Sequence, residues 1–278
     1  DYFRLSRKPV VIGIAGDSGS GKDTLANSLT DLFGDHSVAT LSGDNYHLWD
    51  RQGPMWKSVT PLNPRANRLE DLTSDIISLI DGKRIKSRFY DHASGKTSDL
   101  TRIKSNNYII ASGLHTLYIK QIRDHCDIGI FLSMDEELRE YLKVQRDVKE
   151  RGHTMEAVLE SIQKRREDSE KFIKSQSPHS DLKFSLYPLS KYSLQNTNRD
   201  DLRLGLAVNS KIGVDDRSLT RVLVGICGLN VEISNNAMSG ETSISIEGNV
   251  TGEDIAASAE ILFPEFIDFL DSDPKWNW

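Results

Sequence analysis

The chain contains 278 residues, of which 41 are acidic and 35 basic, and this size allows one large domain or a large domain with a smaller one. The formal charge of −6 argues against nucleic acid as a main partner, and the lack of an apolar run of membrane-spanning length argues against a membrane partner. Two distant cysteines, Cys126 and Cys227, indicate neither a disulfide framework nor a cysteine zinc site and favour a cytoplasmic setting.

The first predicted element is an apolar strand from Val10 that runs into a glycine-rich turn, and a helical pattern begins near Lys22. Gly16 and Gly21 frame the four residues that precede Lys22 in this turn. With this spacing the backbone N–H groups can surround phosphate oxygens, while the lysine and the helix N-terminus supply positive charge. We therefore predict a phosphate-binding loop for a nucleoside triphosphate, composed of Gly16, Asp17, Ser18, Gly19, Ser20, Gly21, Lys22, Asp23 and Thr24.

A second short apolar strand, over residues 37–42, leads directly to Asp44. Because ligands of open α/β sheets collect at the carboxyl ends of the strands, we expect Asp44 on the same rim as the phosphate loop. A long proline-containing loop over 45–67 follows, and its length indicates a functional or mobile segment. The next predicted elements are a helix over 68–79, a short strand over 85–92, and buried strands over 108–111 and 128–132.

Strands that alternate with helices predict an α/β fold with a mostly parallel sheet flanked by helices. Charged amphipathic helices over 136–150 and 155–173 follow the fourth strand. After about residue 180 the pattern becomes β-rich, so we predict one domain over 1–180 and a smaller β-rich domain over 181–278, packed together because no flexible linker separates them. The predicted elements of the smaller domain are strands over 182–188, 202–208, 221–227 and 242–246 and a terminal helix over 255–270.

Six motifs occur in an order that is far more specific than any one of them. They are Gly16-Asp-Ser-Gly-Ser-Gly-Lys22, Gly43-Asp-Asn-Tyr-His-Leu-Trp-Asp-Arg51, Thr60-Pro-Leu-Asn-Pro-Arg-Ala-Asn67, Tyr90-Asp-His-Ala-Ser-Gly95, Gly113-Leu-His115 and Lys143-Val-Gln-Arg-Asp-Val-Lys-Glu-Arg-Gly-His153. Over most of the first 190 residues they resemble the phosphoribulokinase/uridine kinase family, and within it the phosphoribulokinase branch. The resemblance implies a P-loop NTPase-type kinase domain over 1–180, with ATP and Mg²⁺ as cofactors.

The reaction implied by this resemblance is transfer of the ATP γ-phosphate to a hydroxyl of a small sugar phosphate, with ribulose 5-phosphate as the default acceptor. The resemblance assigns the general base to Asp44 and the cationic catalytic roles to Lys22 and Arg146, which agrees with what phosphoryl transfer requires. For Asp44 the alternative is an aspartate that only caps a turn.

The resemblance also implies a set of acceptor-binding residues, and each has a structural alternative. A phosphorylated acceptor needs cationic or imidazole partners, although side chains on a long loop are often only solvated. A tyrosine at the end of an apolar strand can equally be a core residue. The run 164–168 is interpreted as a solvated, salt-bridged helix face. The implied acceptor-binding residues are His47, Arg51, Tyr90, His92, Lys143 and Arg151.

Two departures from the family pattern concern the metal. Asp23 stands where a magnesium-binding hydroxyl is usual, Thr24 points along another helix face, and Ser112 stands where the family usually has Glu. One interpretation is compensation, with Asp23 and Asp44 as the metal ligands. The other is decay into a nucleotide-binding regulatory protein without efficient catalysis.

Further expectations follow from the same resemblance. Serines occupy the two positions where plant-type enzymes carry regulatory cysteines, Ser20 and Ser42, so no thiol switch is expected. A uridine/cytidine kinase or another metabolite kinase is the alternative within the same class. A homo-oligomer is compatible with the sequence.

Overall fold

The computed structural model describes residues 8–51, 53–91, 94–149, 152–190, 202–236, 238–251 and 253–254. Its strands, in chain order, are β1 (Val10–Gly16), β2 (Val38–Ser42), β3 (Arg84–Ser87), β4 (Tyr90–Asp91), β5 (Lys96–Thr97), β6 (Thr101–Lys104), β7 (Tyr108–Gly113), β8 (Ile128–Met134), β9 (Leu182–Pro188), β10 (Leu204–Ser210), β11 (Asn230–Asn235) and β12 (Thr242–Glu247). The α-helices are α1 (Lys22–Phe33), α2 (Leu69–Ile80), α3 (Lys120–Arg123), α4 (Glu136–Lys149), α5 (Met155–Asp168) and α6 (Asp216–Gly225).

Eight strands form one sheet in the order β11-β12-β10-β9-β8-β1-β7-β2, and the five from β2 to β9 are parallel. Successive residues of β1 point to opposite faces of this sheet. Val11 packs in a core cluster with α2, whereas Ile12 and Ile14 pack in a cluster with α1. Helices therefore cover both faces of the parallel strands, which explains their continuous apolar sequences and confirms the predicted α/β fold class.

The β-rich character of the chain after residue 180 is also confirmed, and its strands continue the same sheet. β9 pairs with β8 in parallel, and β10, β12 and β11 follow in antiparallel pairs. The limits of the two proposed domains remain a prediction. The terminal helix predicted over 255–270 lies outside the described residues.

The strand predicted over 221–227 was wrong, because most of this segment belongs to helix α6. The side chain of Asp215 accepts hydrogen bonds from the backbone N–H groups of Arg217 and Ser218, both at 3.2 Å, and so caps the helix. Val222 is fully buried. An apolar run of this length is compatible with a strand or a helix, and the N-terminal cap at Asp215 favours the helix.

Short irregular elements position several residues of the candidate site. The 45–67 loop contains the 3₁₀ helices Pro54–Lys57 and Pro64–Ala66, and it is closed by an antiparallel bridge between His47 and Asn67. The helix predicted over 155–173 changes at Ser169 from α to a π-helical turn over Ser169–Ile173.

None of the helices that the structure describes combines the length and the apolar character required to cross a lipid bilayer.

Candidate active site

A cavity of about 520 Å³ lies at the carboxyl ends of β1, β2 and β7. It is bounded by the phosphate loop, the 45–67 loop and helix α5, so segments far apart in sequence meet around it. Pockets at this edge of a parallel sheet are the usual ligand sites of such folds. The predicted residues that line it are Ser18, Gly19, Lys22, Asp23, Asp44, His47, Arg51, Tyr90 and Arg146.

The phosphate loop connects β1 to α1, and its glycines have specific reasons to be glycine. A Cβ atom on Gly16 would lie 2.4 Å from the carbonyl oxygen of Leu132, so only glycine fits there. Gly19 and Gly21 have φ angles of 84° and 89°, in the left-handed region that glycine adopts without strain. Helix α1 then begins at Lys22, and its first-turn N–H groups and dipole favour an anion at this end.

The Asp17 side chain does not line the cavity, although its residue belongs to the loop. Its carboxylate accepts hydrogen bonds from the backbone N–H of Ser18 at 2.6 Å and from the Ser169 hydroxyl, and Arg139 lies 3.7 Å away. The Asp17 carbonyl oxygen accepts a hydrogen bond from Lys22 Nζ at 2.8 Å. Asp17 therefore fixes the loop against α4 and the π-helical turn, and Lys22 is held at the loop before a phosphate binds.

Ser20 and Thr24, two further residues of the predicted phosphate loop, also do not line the cavity. Ser20 is buried, and its hydroxyl has no hydrogen-bond partner among the described residues. Thr24 is exposed on α1 and does not line the cavity. A contribution of these two residues to ATP binding would come from their backbone N–H groups.

Asp44 follows β2 directly, at the start of the 3₁₀ helix Gly43–Tyr46. Its side chain is 24% exposed and lies 3.6 Å from Nε2 of His47, measured from Oδ1. His47 is buried, and its Nδ1 contacts the side-chain oxygen of Asn67 at 2.7 Å. The end of β2 thus places a carboxylate and an imidazole side by side in the cavity that Lys22 also lines.

Aromatic side chains pack around His47. The Trp56 and Tyr90 rings lie edge-on to it at centroid distances of 5.6 and 5.3 Å. Burial raises the pKa of Tyr90 and outweighs the opposing effect of Arg51. Tyr90 is therefore both buried and part of the cavity wall, so the two interpretations of this residue do not exclude each other.

Helix α4 carries two of the predicted cationic side chains. Lys143 and Arg146 both contact the Asp147 carboxylate at 3.0 Å. Burial alone would raise the pKa of Asp147, but Lys143 and then Arg146 outweigh it and lower that pKa to about 2. Arg146 reaches the cavity, whereas Lys143 is buried and does not line it. Lys143 is therefore a partner of Asp147 in this structure, and its role in acceptor binding remains a prediction.

Sequence analysis missed part of the cavity wall. Arg165 is partly buried and lines the cavity with Lys164, whose ammonium donates a hydrogen bond to the Trp56 carbonyl oxygen at 3.2 Å. Asp168 accepts a hydrogen bond from the Thr60 hydroxyl at 2.6 Å. The interpretation of 164–168 as a solvated face was wrong for Arg165 and Asp168, which are partly buried, whereas Lys164 is exposed as predicted. A run of charged residues does not show which segment packs against it. His92 and Arg151 lie outside the described residues.

The cavity wall carries oxygen-bearing side chains of the kind that bind a magnesium ion. Asp23 and Asp44 both line the cavity, and the buried hydroxyl of Ser112, also on its wall, has no hydrogen-bond partner in the described part of the chain. No group of three His, Cys, Asp or Glu side chains with metal-site geometry occurs among the described residues. One or two carboxylates together with substrate phosphates are a common way of holding Mg²⁺.

His115, after β7, holds the 45–67 loop in place. It is 3% exposed, and its Nε2 lies 2.9 Å from the Leu62 carbonyl oxygen. Burial lowers the pKa of His115 to about 4 from an ordinary value of 6.5. At neutral pH the ring is uncharged and Nε2–H donates to Leu62.

This pKa predicts a loss of stability in acid. The unfolded chain takes up the His115 proton near pH 6.5 and the folded chain only near pH 4, so stability falls as the pH drops between these values. We expect the free energy of unfolding to fall over this window by about 3 kcal/mol more in the wild type than in His115→Gln, measured by urea denaturation. Equal losses in the two proteins would contradict the buried neutral state.

Comparison with known proteins gives consistent matches. The model of the Phosphoribulokinase / Uridine kinase family matches residues 11–193. The phosphoribulokinase of Synechocystis sp. is 38% identical over 179 residues, covering 64% of this chain and 54% of the relative. The chloroplastic phosphoribulokinase of Triticum aestivum is 32% identical over 198 residues, covering 65% and 49%. The chain thus spans about half the length of the curated phosphoribulokinases that it matches.

A uridine kinase and a solved phosphoribulokinase structure also match the chain. A uridine kinase of Geobacillus kaustophilus is 33% identical over 159 residues, covering 56% of this chain and 75% of the relative. The solved structure of a phosphoribulokinase from Rhodobacter spheroides has a TM-score of 0.71 at 20% identity, covering 95% of this chain and 97% of that one. The structural match shows the same fold over nearly the whole chain.

Proposed function

Because this chain belongs to the phosphoribulokinase/uridine kinase family, we propose that it transfers the γ-phosphate of ATP to a hydroxyl group of a sugar phosphate. Ribulose 5-phosphate is the first candidate acceptor, because a curated phosphoribulokinase matches the chain at 38% identity. A cytoplasmic location and a homo-oligomeric state remain predictions from the sequence.

The observation that carries the proposal is the charge of the cavity wall. Its described residues include five cationic side chains against three acidic ones, Asp23, Asp44 and Glu160. ATP and a phosphorylated acceptor together bring several negative charges, whereas a nucleoside acceptor brings none of its own. Arg51 lies on the 45–67 loop and not on the phosphate loop, so it can bind a phosphate of the acceptor, which favours a sugar phosphate over uridine or cytidine. The cationic residues are Lys22, Arg51, Arg146, Lys164 and Arg165.

In the proposed reaction the residues that line the cavity have distinct tasks, and Asp44 has two. The phosphate loop and Lys22 hold the ATP phosphates, and Asp44 removes the proton of the acceptor hydroxyl as it attacks the γ-phosphorus. Arg146 stabilises the negative charge on the transferred group. Arg51 and His47 bind the acceptor on the other side of the cavity. Asp23 and Asp44 would hold Mg²⁺, which would neutralise charge on the phosphates.

The direct test is to mix the purified protein with ATP, Mg²⁺ and a panel of sugar phosphates and nucleosides and to measure ADP release. We expect turnover with ribulose 5-phosphate and none with nucleosides. Turnover with nucleosides alone would contradict the proposed acceptor. ATP binding without turnover on any acceptor would support the regulatory-protein interpretation instead.

The metal assignment predicts that Asp23→Ala raises the Mg²⁺ concentration for half-maximal activity by roughly tenfold or more, because a direct carboxylate ligand is lost. Asp23→Thr, which restores a hydroxyl at this position, is expected to need less additional Mg²⁺. Asp31→Ala, on the same helix but away from the cavity, is the matched control. An unchanged Mg²⁺ requirement in Asp23→Ala would remove this residue from the metal site.

A further inference from the structure

The contact between Asn67 and His47 defines how the imidazole ring presents its two nitrogens. Both residues are buried, and Asn67 Oδ1 lies 2.7 Å from His47 Nδ1. The two residues also form the antiparallel bridge that closes the 45–67 loop. Their side chains therefore meet where the backbone of the two residues also pairs, and of the two only His47 lines the cavity.

The environment of Asn67 fixes which end of its amide faces the ring. Its Nδ2 donates hydrogen bonds to the carbonyl oxygens of Pro61 and Asn63, both at 3.0 Å. In the reverse orientation an amide oxygen would face two carbonyl oxygens and lose both bonds. Asn67 therefore presents its oxygen to His47, and an oxygen that can only accept requires a proton on Nδ1.

This arrangement determines what the other ring nitrogen can do. With the proton on Nδ1, the neutral ring carries its lone pair on Nε2, the nitrogen that lies 3.6 Å from Asp44 Oδ1. Free imidazole side chains have no such constraint, since either nitrogen can carry the proton. Without Asn67 the ring could therefore exchange its two nitrogens or rotate away from Asp44.

The loop that carries Asn67 is held from two sides. The Thr60 hydroxyl donates to Asp168 on α5, and the Leu62 carbonyl accepts from His115. These contacts set the position of Asn67 before any acceptor arrives. A site that must place a hydroxyl next to a base gains rate from such prior positioning.

We propose that Asn67 is a positioning residue, which holds His47 with its proton on Nδ1 and its Nε2 directed to Asp44 and the acceptor. This proposal rests on the proposed function for its kinetic consequence but not for its spectroscopic one. In the neutral ring Nε2 is a hydrogen-bond acceptor, so His47 is set to receive a hydroxyl of the acceptor beside the carboxylate that takes the reacting proton.

The spectroscopic test uses the full chain labelled with ¹⁵N-histidine, at about pH 8.5 where histidines of ordinary pKa are neutral. The His47 signals are identified as those lost in His47→Asn. We expect the wild type to show the proton on Nδ1, and Asn67→Ala to shift the population toward Nε2–H.

A matched control is Asn63→Ala, which alters the same loop but not the amide that contacts His47, and it should keep the wild-type pattern. A wild-type spectrum with the proton on Nε2 would overturn the proposal, and so would an unchanged pattern in Asn67→Ala. The wild-type spectrum decides the matter if Asn67→Ala does not fold.

The kinetic test follows if the protein is active on the acceptor panel. Asn67→Ala is expected to lower kcat/KM for the acceptor by roughly tenfold or more, with the KM for ATP within about twofold of the wild type. Equal losses for both substrates would indicate a general loss of structure and contradict a positioning role. The ¹⁵N measurement needs no substrate, so a failure of the proposed function leaves it intact.

Discussion

Asp44→Asn is expected to lower kcat by a factor of about 10² to 10⁴, the range that a positioned general base contributes. The amide keeps the size of the side chain but cannot take the proton of the acceptor hydroxyl. Asp44 lies at the end of β2 on the wall of the cavity that Lys22 also lines. ATP contacts the phosphate loop, so its affinity in the absence of Mg²⁺, measured by calorimetry, should change little.

Asp124→Asn is the control for this substitution. Asp124 lies just after α3, is more than half exposed, and pairs with Lys120 away from the cavity. Its replacement should leave both turnover and ATP binding unchanged. A full rate in Asp44→Asn would exclude Asp44 as the base. A parallel loss of ATP affinity in the absence of Mg²⁺ would point to a structural role of Asp44 in its place.

Arg146→Ala should lower kcat by about 10³, because a guanidinium on the transferred phosphoryl group supplies stabilisation of this order. Arg146 lines the cavity while its Nε donates to Asp147 Oδ1 at 3.0 Å. This bond orients the planar group, so Arg146→Lys, with a single ammonium on a flexible stem, is expected to restore only part of the rate.

Lys149→Ala is the matched control for Arg146, since Lys149 is exposed at the end of the same helix and does not line the cavity. Single-turnover measurements at saturating ATP and acceptor would separate an effect on chemistry from one on binding. If Arg146→Ala changed only the acceptor KM, Arg146 would be a binding residue and its assignment to the transition state would be wrong.

Local patterns in the sequence were sufficient for the parallel half of the sheet. A buried parallel strand is apolar on both faces, so β1, β7 and β8 each appear as a continuous apolar run. The phosphate loop is equally local, because its glycines are required by backbone geometry at fixed spacing. Asp44 could be placed on the cavity rim for the same reason, as it follows a strand directly.

Features that depend on distant contacts could not be predicted in this way. The run 221–227 has the composition of a strand, and only the cap at Asp215 and the burial of Val222 make it part of a helix. From the sequence alone Arg165 cannot be distinguished from a solvated arginine. Its place on the cavity wall depends on the 45–67 loop, which is distant in sequence. Asn67 gave no chemical signal, because its role depends on its separation from His47 in space.

The parallel pairing of β8 with β9 has a practical consequence for work with fragments. This pairing runs from Ile130 opposite Leu182 to Met134 opposite Leu186. A chain truncated after residue 180 would keep the phosphate loop but leave the backbone N–H and C=O groups along one side of β8 without partners. Such an open, apolar edge recruits strands from other molecules and leads to aggregation. The predicted boundary between two domains is therefore a poor place to cut for protein production.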